Sequence, residues 1–154
     1  MNYTHSNNLL LNLGIESLNE MQELAQETIL SQPNTLLLSP TGSGKTLAFL
    51  LPVFELLQPE INAVQCLILV PSRELALQIE QVWKKMGTTY KINACYGGHS
   101  IETELKNLSN PPAVLVGTPG RIADHIDRGT FATNDIKTLV LDEFDKSLQL
   151  GFHE

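Results

Sequence analysis

Short apolar runs alternate with segments of helical periodicity along the whole chain. Mostly apolar runs of strand length occupy residues 36–38, 64–70, 92–96, 113–117 and 138–142. Several of these runs are continuously apolar, which is typical of strands in a parallel sheet that is covered on both faces. The pattern therefore predicts β-α-β units, and with them an α/β domain whose largely parallel sheet is covered by helices on both faces.

Between the strands, apolar residues recur every three or four positions, as on one face of an amphipathic helix. Such stripes contain Met21, Leu24, Ala25 and Ile29, and further along the chain Leu75, Ile79, Val82 and Met86. We expect both stripes to pack on the sheet. Another helix is predicted from residue 45 to about residue 57, with a distortion at Pro52 because proline lacks an amide hydrogen.

Length and composition limit the class of protein. A chain of 154 residues with 42% hydrophobic residues is long enough to bury one core, so we expect a single domain. No segment approaches the roughly 20 apolar residues that cross a bilayer, and the first residues lack a signal-peptide pattern, which predicts a cytoplasmic protein without a membrane partner. Cys66 and Cys95 lie in apolar runs, which favours buried, reduced thiols over a disulfide or a metal site.

The charge of the chain argues against nucleic-acid binding by bulk electrostatics. The net charge is −7, so any nucleic-acid site must be local. Lys45 is the only lysine or arginine in the first 72 positions, and it lies in a glycine-rich loop. This isolation favours a functional role for Lys45 over a solvated surface charge.

Polar and glycine-rich segments follow directly after each predicted strand. They are residues 39–46, 71–76, 97–98, 118–121 and 142–145. In open α/β sheets, the carboxyl ends of the strands form the ligand crevice. The sequence therefore predicts that one edge of the sheet collects the candidate chemistry.

The segment after the first predicted strand matches the phosphate-binding loop motif. Residues 39–46 read SPTGSGKT and fit G-x-x-x-x-G-K-[ST] at every fixed position except the first, where serine replaces glycine. The glycines let backbone amides point at phosphate oxygens, and the following helix adds its positive end. We expect Lys45 to neutralise the β- and γ-phosphates of a nucleotide and Thr46 to coordinate Mg²⁺. The predicted nucleotide-binding residues of this loop are Thr41, Gly42, Ser43, Gly44, Lys45 and Thr46.

Acidic residues after the last predicted strand would complete such a site. Residues 142–145 read DEFD, and we expect Asp142 to hold Mg²⁺ through water and Glu143 to orient or deprotonate the attacking water. Taken alone, an acidic cluster after a strand is usually a solvated turn. Its pairing with the phosphate loop favours a nucleoside triphosphatase, with Lys45, Asp142 and Glu143 as the catalytic residues.

The segments between these two resemble motifs of the DEAD-box family of ATP-dependent RNA helicases. Residues 71–76, PSRELA, are similar to the family's PTRELA segment, residues 118–121 are its TPGR segment, and Gly97-Gly98 resembles its double glycine. The resemblance implies a RecA-like P-loop fold, ATP and Mg²⁺ as cofactors, and binding of the sugar-phosphate backbone of single-stranded RNA. The RNA-binding residues that it implies are Pro71, Arg73, Glu74, Gly97, Gly98, Thr118, Pro119, Gly120 and Arg121. Alternatively, Arg73 pairs with a nearby carboxylate and Gly97-Gly98 is simply a turn.

Residues 14–22 resemble the Q motif, through which this family selects adenine. The resemblance assigns adenine recognition to Gln22, whose amide can pair with the adenine edge. A structural alternative is open, because either Ser17 with Glu20 or Asn19 with Gln22 has the spacing of a helix capping box.

The resemblance also implies a larger protein. It identifies residues 1–154 as a first helicase domain that is incomplete at its C-terminus, and it places the second helicase domain, with an arginine finger, beyond this chain. A P-loop small-molecule kinase, a DNA helicase and a non-catalytic RNA-binding or scaffold domain are the alternatives. The first two are not expected to carry PSRELA, GG and TPGR in this order, and the intact Lys45, Thr46, Asp142 and Glu143 argue against the third.

Overall fold

The structure, a computed structural model, describes residues 3–40 and 44–144. Its helices are α1 (Tyr3–Asn12), α2 (Glu20–Ser31), α3 (Lys45–Leu56), α4 (Arg73–Met86), α5 (Ile101–Leu108) and α6 (Pro119–Asp127). Its strands are β1 (Cys66–Leu69), β2 (Ile92–Cys95), β3 (Val114–Gly117) and β4 (Thr138–Leu141).

The strands form a four-stranded sheet in the order β2-β3-β1-β4, and every neighbouring pair is parallel. This confirms the predicted α/β fold with a parallel sheet. Strand β3 is buried at every position, as expected for a central strand that is apolar throughout. One cluster of buried core residues contains Val64, Leu67, Cys95, Leu108, Leu115, Ile122 and Phe131.

The strand predicted at residues 36–38 does not form. Residues 32–40 follow α2 without regular secondary structure, and the side chains of Leu36 and Leu38 are 83% and 77% exposed. An isolated extended segment leaves its backbone amides and carbonyls unpaired, so it becomes a strand only beside a partner. No described strand pairs with this segment, and the prediction from the leucine run was wrong.

Helix α3 has the predicted length and continues through Pro52. All of its residues from Leu47 to Val53 are buried, which is the pattern of a helix that is apolar around its whole circumference. The predicted stripes were only partly right. In α4, Ile79 and Met86 are buried but Leu75 and Val82 are half-buried, and in α2 Leu24 is 63% exposed.

The chain divides into two compact units. The first comprises Met1–Leu57 and Val82–Thr88, and the second comprises Gln58–Gln81 and Thr89–Glu154. Gly44 and α3 belong to the first unit, whereas the described sheet belongs to the second. None of the helices in the described part of the chain is long and apolar enough to cross a lipid bilayer.

Candidate nucleotide and RNA site

The described end of the phosphate loop leads directly into α3. Gly44 is the N-cap and has a φ of 84°, a left-handed backbone conformation that glycine adopts without a steric penalty. Lys45 and Thr46 are therefore the first two residues of the helix, where backbone amides lack helical acceptors. The predictions for Thr41, Gly42 and Ser43 lie outside the described residues.

Gln22 lies against this loop, and the structure selects one of the two proposed capping boxes. Asn19 is the N-cap of α2: its side chain accepts a hydrogen bond from the Gln22 amide at 2.8 Å, and its own amide donates to Gln22 Oε1 at 2.9 Å. The remaining polar end, Gln22 Nε2, donates to the carbonyl oxygen of Gly44 at 3.1 Å. A side chain at position 44 would collide with Gln22 Nε2.

In the second unit, the carboxyl ends of the parallel strands lie along one edge of the sheet. Backbone hydrogen bonds join the residues just past those ends: Val70 donates to Gly117 O at 3.0 Å, Thr118 to Cys95 O at 3.1 Å, and Asp142 to Leu69 O at 3.0 Å. The segments that follow these strands are the ones singled out in the sequence. The structure therefore brings the three segments that are predicted to bind RNA and the first acidic residues to one edge.

The acidic segment begins at the end of β4. Asp142 is buried, with 5% of its surface exposed. Glu143 has a φ of 64°, and in the described part of the chain it is the only residue other than glycine with a positive φ. Such conformations carry strain and concentrate at functional sites, which is consistent with the predicted catalytic role. Asp145 lies outside the described residues.

Arg73 and Gly98 are neighbours at this edge. Arg73 begins α4 and its side chain is 54% exposed. Gly98 has a φ of 89°, and a Cβ built on it would lie 3.5 Å from Arg73 Nη1. The alternative partner for Arg73, the carboxylate of Glu74, is 4.0 Å from Nε and is itself 74% exposed, so that ion pair is weak.

Arg121 makes hydrogen bonds to the backbone of the glycine turn, which contains Gly97 and Gly98. Its Nε donates to Tyr96 O at 3.2 Å and its Nη2 to His99 O at 2.6 Å, so the guanidinium bridges the two ends of the turn that contains Gly97 and Gly98. The Arg121 side chain is only 16% exposed. It belongs to α6, which begins at Pro119 directly after its N-cap, Thr118.

Sequence reasoning missed the residue at the centre of this arrangement, Glu104 of α5. Its side chain is 1% exposed, and Oε1 lies 3.4 Å from Arg121 Nε and 2.7 Å from His125 Nε2. Oε2 accepts a hydrogen bond from the Tyr96 amide at 3.1 Å and is hydrogen-bonded to His99 Nδ1 at 2.9 Å. The sequence did contain a signal for a paired carboxylate at this position. Glu104 falls at helical spacing between Ile101 and Leu108, on the apolar stripe of α5, where an unpaired carboxylate is rarely found.

Cys95, Glu104 and His125 place three possible metal ligands within 4.8 Å of one another. The carboxylate is already ion-paired with Arg121, whose Nε lies 3.4 Å from Glu104 Oε1. Burial, and secondly the charge of Glu104, raises the pKa of the Cys95 thiol to about 12, so the thiolate that metals bind is disfavoured. We therefore propose no metal for this cluster.

Comparison with known proteins gives one consistent result. The DeaD ATP-dependent RNA helicase of Escherichia coli (strain K12) is 40% identical over 148 residues, which cover 94% of this chain and 24% of that protein. The DEAD-box ATP-dependent RNA helicase CshA of Geobacillus kaustophilus (strain HTA426) is 39% identical over 144 residues, covering 92% and 31%. This chain therefore spans about a quarter to a third of the length of these relatives.

Solved structures agree with the sequence relatives. A hypothetical ATP-dependent RNA helicase from Sulfolobus tokodaii superposes with a TM-score of 0.83 at 27% identity, over 99% of this chain and 44% of that one. The yeast DEAD-box splicing factor Prp28 gives a TM-score of 0.78 at 32% identity, over 96% and 37%. The fold is thus the RecA-like one expected from the motifs. The sequence profile of DEAD/DEAH box helicases matches residues 19–154, and the chain belongs to this family.

Proposed function

We propose that this chain is the ATP-binding part of an ATP-dependent RNA helicase, which binds ATP with Mg²⁺ and holds part of a single-stranded RNA backbone. The observation that carries the proposal is the convergence of the PSRELA, GG and TPGR segments and of Asp142 at one edge of a parallel sheet. The relatives named above are ATP-dependent RNA helicases, which favours RNA over DNA and an enzyme over a scaffold.

The nucleotide phosphates would bind at the start of α3. Lys45 supplies the only positive side chain among the first 72 residues, and the first turn of the helix supplies backbone amides. Gln22 would contribute its amide to the adenine edge. In the structure this amide already contacts the loop through Gly44, so base recognition and loop position would depend on one side chain.

The family resemblance implies a magnesium ion, and the chemistry of the two donors predicted for it is suitable. The Thr46 hydroxyl and the Asp142 carboxylate are hard oxygen donors of the kind that Mg²⁺ prefers, and Asp142 is buried directly after β4. When bound, the ion neutralises charge on the β- and γ-phosphates. Glu143 would orient the attacking water and accept its proton.

RNA would lie along the surface formed by the glycine turn and the starts of α4 and α6. Among the described residues, and apart from chain neighbours and, for Gly120, the nearby backbone of its own helix, no atom comes within 4 Å of a Cβ built on Gly97 or Gly120. A nucleic-acid backbone could therefore approach closely at both. Arg73 places an exposed positive charge beside Gly98. Contacts of this kind bind phosphate and sugar and do not read the bases.

The remaining proposals concern the intact protein. By resemblance, it carries a second helicase domain that supplies an arginine finger, and both domains close over ATP and RNA. Residues 1–154 would then be part of the first domain of a cytoplasmic helicase.

Calorimetry and RNA-stimulated ATPase assays test this function. The folded chain should bind ADP in the presence of Mg²⁺, and a form extended downstream should hydrolyse ATP faster with single-stranded RNA than with DNA of the same sequence. A folded chain that does not bind ADP would overturn the nucleotide assignment. Equal stimulation by RNA and DNA would overturn the choice of RNA.

A further inference from the structure

We infer that Glu104 is a positioning residue for RNA binding: its buried carboxylate fixes the shape of the glycine turn and the direction of Arg121. The inference rests on the proposed RNA-binding function. Glu104 itself is 1% exposed, so it does not touch RNA and acts only through the residues around it.

The first set of contacts fixes the glycine turn. Glu104 Oε2 accepts a hydrogen bond from the Tyr96 amide at 3.1 Å and is hydrogen-bonded to His99 Nδ1 at 2.9 Å. Tyr96 and His99 flank Gly97 and Gly98, and their rings stack with centroids 4.8 Å apart. One carboxylate oxygen therefore holds both ends of a turn whose glycines have little conformational preference of their own.

The second set of contacts fixes the start of α6. Glu104 Oε1 lies 3.4 Å from Arg121 Nε and 2.7 Å from Nε2 of His125, which is also completely buried. His125 Nδ1 is in turn hydrogen-bonded to Thr130 Oγ1 at 3.2 Å. The two oxygens of one side chain thus join α5, the glycine turn and α6.

These contacts change the role expected of Arg121. Its guanidinium donates to the carbonyl oxygens of Tyr96 and His99 and is 16% exposed, whereas the side chain of Arg73 is 54% exposed. Arg73 is therefore the better candidate for a direct phosphate contact. Arg121, aligned by Glu104, chiefly keeps the carbonyl oxygens of the turn directed into the protein and away from the phosphates.

A glutamine at position 104 preserves most of this geometry. Its amide oxygen can accept from the Tyr96 amide, and its amide nitrogen can donate to His125 Nε2 in the imidazole tautomer that carries its proton on Nδ1. Arg121 would keep its bonds to the two carbonyl oxygens. An alanine removes every one of these partners and leaves buried donors unsatisfied. An aspartate keeps the charge but is one methylene shorter and cannot reach all of them.

The experiment compares Glu104→Ala, Glu104→Asp and Glu104→Gln with the parent in a form of the protein extended downstream. Hydrogen exchange of the amides at residues 96–99 reports the turn without RNA. Fluorescence anisotropy with a labelled oligouridine reports RNA affinity, and ADP affinity reports the nucleotide site.

We expect the alanine and aspartate variants to exchange faster at the turn and to lose at least about fivefold in RNA affinity, with ADP affinity within about twofold of the parent. Glu104→Gln should stay within about twofold on every measurement.

The outcomes separate this inference from the proposed function. If Glu104→Ala does not fold, Glu104→Asp decides in its place. Unchanged exchange at the turn, or unchanged RNA affinity while Arg73→Ala weakens binding, would overturn the role of Glu104 alone. A loss in Glu104→Gln as large as in Glu104→Ala would also overturn it, because charge and not geometry would then matter. If neither Arg73→Ala nor Glu104→Ala changes RNA affinity, the RNA surface itself is misplaced.

Discussion

The side-chain amide of Gln22 donates a hydrogen bond to the carbonyl oxygen of Gly44, the residue directly before Lys45. The other end of the same amide group accepts from the Asn19 backbone in the capping box of α2. The structural alternative raised by the sequence is therefore present in the structure. Adenine recognition by Gln22 stays a prediction, and any adenine contact must coexist with these hydrogen bonds or replace one of them.

The first prediction separates the two roles of Gln22. Gln22→Ala should lower the free energy of unfolding by about 1–2 kcal/mol, because it removes half of a capping box and the bond to the phosphate loop. It should also reduce the preference for ADP over GDP measured by calorimetry. Asn19→Ala is the matched control: it breaks the same cap and leaves the Gln22 side chain, so it should destabilise the protein and keep the preference. Equal selectivity in all three proteins would leave Gln22 with a capping role alone.

The second prediction concerns Lys45. Lys45→Ala should weaken ADP binding at least about tenfold, which is the effect of losing one charge-assisted hydrogen bond, because no other lysine or arginine lies in the first 72 positions. Calorimetry gives both affinities. Lys85→Ala, which removes an exposed lysine from the last turn of α4, is the control and should bind like the parent. A folded Lys45→Ala protein with the parent's affinity would contradict the phosphate-loop assignment.

The third prediction uses salt to distinguish two arginines. Arg73→Ala and Arg121→Ala should both weaken binding of single-stranded RNA, to a similar extent for different base sequences, in a protein that contains both helicase domains. Loss of one phosphate contact lowers the slope of log affinity against log salt by about 1, which we expect for Arg73. The slope should change less for Arg121, because its guanidinium bonds to backbone carbonyls. Parent-like binding by both variants would rule out these segments as the RNA site.

The sequence predicted the parallel sheet and the segments at its carboxyl edge, because continuous apolar runs and fixed motifs are local signals. The same reasoning failed at residues 36–38, where the strand depends on a partner that a run of leucines does not specify. Glu104 was missed for a related reason. Its importance comes from Tyr96, His99, Arg121 and His125, which lie 5 to 21 positions away and meet it only in the fold.

The fourth prediction concerns alkaline pH. Burial raises the pKa of the Cys66 thiol from 9.0 to about 12. Below pH 9 the Cys66 thiol keeps its proton in both the folded and the unfolded state, so it adds no pH dependence to the free energy of unfolding. Between pH 9 and 12 only the unfolded state releases this proton, and the free energy of unfolding therefore falls as the pH rises. Cys66 alone should cost about 1.4 kcal/mol on going from pH 8 to 10. Urea unfolding at both pH values should show a smaller fall for Cys66→Ala than for the parent. An equal fall in both proteins would disprove the assignment.

The fifth prediction is that this chain binds nucleotide but does not unwind RNA duplexes and shows little RNA-stimulated ATP hydrolysis. Phosphoryl transfer depends on positioning and on stabilising charge at the transferred group, and an arginine finger can supply about 10³ to 10⁵ in rate. By resemblance, that arginine belongs to the second helicase domain. By the same resemblance, the chain would present only part of the RNA surface, so ATP and RNA binding would not promote closure of two domains.

Unwinding and ATPase assays on this chain and on a downstream-extended form test the fifth prediction directly. Slow residual turnover by the chain is compatible with it, because Thr46, Asp142 and Glu143 would still place Mg²⁺ and water. Lys45→Ala in the extended form is the control for contaminating ATPases, and it should abolish the stimulated rate. Comparable unwinding by the chain and the extended form would refute the two-domain mechanism, since one RecA-like domain would then suffice to separate the strands.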